Sequence, residues 1–215
     1  SKPFDVSKPF RANIGKDAEG KAIIASLRYP SDDDWESRAR RHPAKKKIGE
    51  RGSTKFLDTD TSEFDGELVR KLLIEGSPTI DDPYLAAKVI NALDRSMVES
   101  IEPEGSNYRM TMVVYGVDKN QDDGKARTVH IMKAPTERQI SRYNMKGVSS
   151  GSERRDRTIT TVQVLDVGAK LYDELMVSTE GYAGAIPLNH KNAIIWELVE
   201  EASQANSVDD VPPEI

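Results

Sequence analysis

Asp118-x-Asn120-x-Asp122 is the nearest approach to a metal-binding spacing in this 215-residue chain. An EF-hand loop needs glycine at its sixth position and glutamate at its twelfth, and those places hold Asp123 and Val129. The segment therefore reads as a hairpin turn. Asp58-x-Asp60 brings two carboxylates together without a third ligand. Asp32, Asp33 and Asp34 are consecutive, and successive helical residues point about 100° apart, so the three cannot converge on one ion. They complement a helix dipole instead. His42, His130 and His190 fall in a basic loop, a strand and a helix cap, none with an acidic or histidine partner at a ligand spacing. A nucleophile is equally hard to place, because no candidate relay stands out in the sequence. Gly49 to Lys55 (GERGSTK) lacks the Gly-Lys-Ser/Thr order of a phosphate loop and does not run from a strand into a helix. The expectation is a protein that is not an enzyme and carries no metal or cofactor.

The cations carry more weight. From Arg38 to Lys55 there are four Arg and four Lys against one Glu, on a chain whose net charge is -5. Arg40, Arg41, Lys45, Lys46, Lys47 and Arg51 are the candidate contacts there, with Arg154 and Arg155 in a second, weaker basic stretch. Such a loop would order on an acidic protein neighbour. Alternatively, it would bind the phosphates of a nucleic acid with strong salt dependence. No aromatics are interleaved to stack on single-stranded bases.

Composition narrows the setting. Hydrophobic residues make up 37% and charged residues 31%, enough apolar side chains for two small cores under a very polar surface. The absence of cysteine excludes disulfides, thiolate metal sites and a cysteine nucleophile. No run approaches the roughly 20 apolar residues of a membrane span, and no apolar signal region opens the chain. A soluble protein of the producing cell's cytoplasm is expected.

The elements that must position these residues repeat. Glu19-Gly20-Lys21-Ala22, followed by Leu27 to Asp32, returns as Asp123-Gly124-Lys125-Ala126, followed by Met132 to Glu137. Leu68 and Leu72 return as Leu171 and Leu175. A repeat decides architecture before any single motif does. Ser31 and Thr136 are the expected N-caps, and Thr136 with Gln139 forms a capping box. Strands are expected over 22–29, 54–58, 108–117, 127–133 and 158–165, the third and fourth forming a hairpin. Helices are expected over 63–74, 82–100, 168–176 and 189–202.

The fold class is thus α+β: a tandem duplication of a small strand-helix-loop-strand-helix-helix unit. Residues 1–16 form an extended N-terminal arm, 17–100 the first unit, 101–107 a linker, 108–203 the second unit and 204–215 a flexible tail. Phe4 and Phe10 on the arm are the apolar groups that would dock on a neighbouring subunit.

In both copies a strand ends in basic-x-Pro-Ser/Thr-acidic before a helix: Arg28-Tyr29-Pro30-Ser31-Asp32 and Lys133-Ala134-Pro135-Thr136-Glu137. This opening resembles that of some tail assembly chaperones of tailed bacteriophages, over about a dozen residues per copy. The resemblance implies a structural or tail-assembly protein of a phage particle. Its partners would be subunits of the same or a neighbouring ring or shell, and it could be incorporated into the virion.

Overall fold

Alternation of apolar and polar side chains pairs β1 (Phe10–Lys16) with β2 (Ala22–Leu27), antiparallel, with Phe10 opposite Leu27. Ala12, Ala25 and Leu27 turn inward and are fully buried. The expected arm thus ends in a strand, and it supplies the hairpin partner that 22–29 needs. The computed structural model describes residues 2–42, 44–48, 54–57, 60–114, 126–153 and 158–208.

After β2, Ser31 caps α1 (Asp32–Arg41) in a full capping box with Asp34. A second hairpin follows, of β3 (Ala44–Ile48) and β4 (Thr54–Leu57). Next come α2 (Ser62–Leu72) and α3 (Pro83–Leu93), which pack on each other. Leu73, just past α2, makes an isolated antiparallel bridge to Leu27. Then β5 (Ser96–Glu104), β6 (Asn107–Val114) and β7 (Ala126–Lys133) form a meander, and Thr136 caps α4 (Glu137–Lys146) with the expected box. The hairpin of β8 (Val148–Glu153) and β9 (Thr158–Gln163) leads to α5 (Leu165–Leu175), β10 (Met176–Glu180) and α6 (Leu188–Val208).

The order hairpin, capped helix, hairpin, helix, helix therefore occurs in each half, with a short strand before the last helix only in the second. The bridge of Leu27 to Leu73 has its counterpart in Met132 opposite Met176, where β10 joins β7. The halves also differ in their sheets. β1 and β2 form a two-stranded sheet, whereas β6 and β7 lie inside a four-stranded sheet of order β10-β7-β6-β5.

Four expectations change. The helix expected over 82–100 stops at Leu93, and Met97 is not on its stripe. From Ser96 the pattern of exposure has period two, and β5 runs through the expected linker 101–107 into a tight turn at Gly105 before β6. The basic stretch 38–55 is no loop throughout: Lys45, Lys46 and Lys47 lie on β3. The expected tail begins inside α6, which continues to Val208, while 209–215 lie outside the described residues.

The halves are not packed as separate beads. The third sheet has the order β4-β3-β9-β8, so strands of both halves share one ladder, with Lys46 opposite Ile159. Leu165, Ala169 and Leu188 from the second half are buried in the first core, and Phe4 packs against the second.

Phe4 reaches that core by strand pairing. Its N–H donates to the Gly181 carbonyl (2.7 Å), and its own carbonyl accepts from the Ala183 N–H (2.9 Å). Gly181 sits at φ 88°, and a Cβ there would run into the Arg127 carbonyl. Both the left-handed backbone and the close approach require glycine. Gly181→Ala is expected to cost roughly 2 kcal/mol or more in urea unfolding, and to speed proteolysis ahead of Phe10.

Candidate partner-binding groove

The first turn of α1 is held by its carboxylates. Asp34, 3% exposed, accepts from the Ser31 N–H and from Lys71 Nζ at 2.7 Å, and pairs with Arg28 at 3.2 Å. Burial alone would raise its pKa, but the hydrogen bonds from Lys71 and Ser31 outweigh burial and hold it at about 2. Asp32 accepts from the Leu188 N–H at the start of α6. The aspartate run thus does more than complement a dipole: it ties α1 to α2 and α6.

From this anchored helix Trp35, Arg38 and His42 face an open groove of about 560 Å³. The α6 residues Asn189, Asn192 and Trp196 line it too, and Asp94, Ser96, Met97 and Leu165 add to the lining. The residues come from both halves of the chain.

A polar cluster fixes one side. Asp65 of α2, 1% exposed, takes His42 Nε2 at 3.1 Å and Arg38 Nε at 3.4 Å. The Arg38 guanidinium also donates to Asp94 (3.3 Å) and to Asn91 Oδ1 (2.7 Å). Asn189 Nδ2 donates to Asp94 Oδ1 at 3.0 Å. Burial raises the Asp94 carboxyl above its ordinary range, with Asn189 and Arg38 opposing the shift. Every charge here has a partner, so the cluster acts as a brace between α1, α2, α3 and α6.

No local spacing marks the His42–Asp65 pair, because the residues are 23 apart and belong to different elements. The pair orients the ring, yet among the described residues no hydroxyl is hydrogen-bonded to it, and a nucleophile–base relay needs one. Among the same residues no three His, Cys, Asp or Glu side chains are grouped to hold a metal ion.

The other two histidines, separated in sequence, meet in the interior. His130 Nδ1 lies 2.7 Å from the Tyr172 hydroxyl, and its Nε2 lies 3.0 Å from Thr128 Oγ1. The Tyr182 hydroxyl bridges His130 Nε2 (3.3 Å) and His190 Nδ1 (3.0 Å). Both imidazoles are fully buried. Burial lowers His130 to about 4, and burial together with His130 lowers His190 to about 3. These are neutral core groups and cannot meet a solute.

Phe4 closes this cluster. Its ring centroid is 4.8 Å from His190, 5.4 Å from Tyr29 and 6.0 Å from Tyr182. Phe10 packs against the core of its own chain. Neither phenylalanine is therefore free for a neighbour, because each finds enough apolar surface at home to offset the ordering of its segment. Arg40 pairs with Glu36 one turn back at 3.6 Å, and the Arg41 guanidinium stacks 5.3 Å over Phe64. Arg38, Arg40 and Arg41 are thus engaged internally, leaving fewer cations for a partner. Arg51, Arg154 and Arg155 lie outside the described residues. The strand ends from which 49–53 and 154–157 depart are adjacent, since Ile48 is opposite Thr54, Lys47 opposite Thr158 and Glu153 opposite Thr158.

What the sequence reading missed is the groove's rim. Trp196 is 48% exposed and Met97 49% exposed, both at the mouth. The only sequence signal was that Trp196 falls off the apolar face of α6. Among the described residues no helix is long and apolar enough to cross a membrane. Comparison with protein-family models, with curated proteins and with solved structures returned no match.

Proposed function

We propose that this chain is a non-enzymatic structural or assembly protein of a large particle, a phage virion or tail component, made in the cytoplasm and working through protein contacts. The observation that carries the reading is the rim of the groove. Large apolar side chains left half exposed beside a concave surface are the usual anchors of protein interfaces. Trp196 and Met97 flank a groove in which Arg38 is already paired with Asp94 and Asp65, so an apolar side chain of a neighbour can enter beside them without stranding those ions. The phage setting is supported by the resemblance of the two helix openings at Arg28–Asp32 and Lys133–Glu137. The recurring element order supports an origin by internal duplication, which sets two related surfaces in one subunit.

The test is solution mass by light scattering on a sizing column across concentration. The wild-type chain is expected to form species above its 23.9 kDa monomer mass. Trp196→Asp is expected to weaken that association by roughly tenfold or more, with its melting temperature within a few degrees of wild type because the side chain is half exposed. A monomer at every concentration would count against the reading. The second reading, nucleic-acid binding, draws on the adjacency of the two basic hairpin ends. It would be preferred if replacing Lys45, Lys46 and Lys47 by glutamine abolished binding to DNA or RNA while leaving the mass unchanged.

A further inference from the structure

The shared sheet is joined in a way that does not close. The first half contributes the hairpin β3–β4 and the second the hairpin β8–β9, each following a capped helix. In the order β4-β3-β9-β8, the leading strand of the first hairpin (β3) pairs with the trailing strand of the second (β9). A two-fold arrangement would pair like with like, leading with leading or trailing with trailing. This joint is head-to-tail. Among the described residues it leaves at the two edges the same two kinds of strand that it joins in the middle: β8, a leading strand, and β4, a trailing one.

We infer that copies of this chain assemble head-to-tail, the open edge of β8 in one copy pairing antiparallel with the open edge of β4 in the next. The strand order would then run β4-β3-β9-β8 and repeat across subunits, making a ring if the rotation closes and a filament if it does not. The contact between subunits would repeat the contact that β3 already makes with β9. This deepens the reading of an assembly protein given above and rests on it.

The character of the edges supports a second copy as the occupant. Proteins protect edge strands with lysine, proline, inward charges and bulges. β5, the edge of the other four-stranded sheet, has Pro103, three glutamates and a register shift between Val98 and Ser100. β10, its opposite edge, has a register shift between Met176 and Ser178. β8 (VSSGSE) has no lysine, no proline and an unbroken register from Val148 to Glu153. Its backbone alternation can be read from one bond. The Val164 N–H donates to the Gly147 carbonyl, so Gly147, Ser149 and Gly151 turn their backbone groups to β9. Val148, Ser150 and Ser152 turn theirs to the open side. In sequence β4 (TKFL) holds one lysine and β8 one glutamate, Glu153, so the two strands carry opposite charge.

The test replaces Ser150, whose N–H faces outward, in two ways. Ser150→Pro removes that donor at a position where an edge strand tolerates proline. Ser150→Lys keeps the donor and adds a charge to the edge, and it serves if the proline variant fails to fold. Each is compared with wild type by light scattering across concentration, with circular dichroism to follow melting. The expected result is a wild-type oligomer and, in both variants, at least a roughly tenfold higher concentration for assembly at unchanged melting temperature. Amide exchange at Ser150 and Ser152 should slow in the wild-type assembly relative to dilute monomer. If wild type assembles and both folded variants assemble equally well, the joint is wrong while the assembly reading stands. If wild type never assembles, both fall.

Discussion

Acidification from pH 7 to pH 4 is expected to remove several kcal/mol of stability, before Asp34 is protonated. His130 and His190 are neutral in the fold because burial holds them at about 4 and about 3, against an ordinary value of 6.5. In the unfolded chain both take up protons as the pH falls through 6.5. Between that value and the folded values the unfolded state binds more protons, so stability rises with pH across this window and is lost as pH falls. At about 1.4 kcal/mol per unit, His130 alone contributes roughly 3 kcal/mol, and His190 adds to it. Against a typical total of about 5–15 kcal/mol, this is enough to unfold a marginal domain. Below pH 4 a second loss follows. Asp34, held at about 2, contributes stability that is complete above its unfolded value near 4 and disappears as pH approaches 2. Urea unfolding at intervals of one pH unit measures the slope. A flat profile between pH 7 and pH 5 would mean that the two imidazoles are reached by protons in the folded state.

The second large effect is expected at Asp65. Its carboxylate, almost wholly buried, meets both His42 and Arg38, and the Arg38 side chain is itself only 12% exposed. Asp65→Ala leaves a buried guanidinium with Asp94 and Asn91 as its remaining partners. Breaking a buried pair from one side typically costs about 3–5 kcal/mol, because the remaining charge is stranded. A loss of at least about 3 kcal/mol in urea unfolding is expected. Asp65→Asn, which keeps an acceptor of the same shape, should lose less. The charge argument makes a further demand: combining Asp65→Leu with Arg38→Met, which removes both charges, should recover part of the loss. If the double variant is as unstable as the sum of the two single ones, Asp65 matters through packing and not through its charge.

The groove and the acid response share a cause, the meeting of elements from both halves. Asn189 illustrates it. Next to His190 at the start of α6, it hydrogen-bonds Tyr29 of the first half and Asp94 at the end of α3. Phe4 crosses in the other direction, from the start of the chain onto the Tyr182–His190 cluster. A perturbation of either cluster is therefore felt in both cores.

Features whose physics is local were legible in the sequence. The N-caps at Ser31 and Thr136 depend on a side chain and a backbone group three residues apart, and both boxes form. The hairpin of β6 and β7 follows from a β-rich run and an alternating one either side of a turn, and it forms with Met110 opposite His130. The α+β class followed from the mixture of periods. The end of α3 was misread because Met97 continues an i, i+4 stripe by accident of spacing, while the alternation from Ser96 that overrides it acquires its meaning only when β6 lies alongside. Strand pairing is non-local, so the sequence could not reveal that Phe10 to Lys16 would pair with β2, or that β3 would choose β9. Burial is likewise a property of the whole. His42 and Asp65, and His130 and His190, carry no marker in their own neighbourhoods, and Trp196 carries only its place off the apolar face of α6. Only the packing of α1 against α2 and α6 decided which of them became braces, which became neutral core groups, and which were left at the surface.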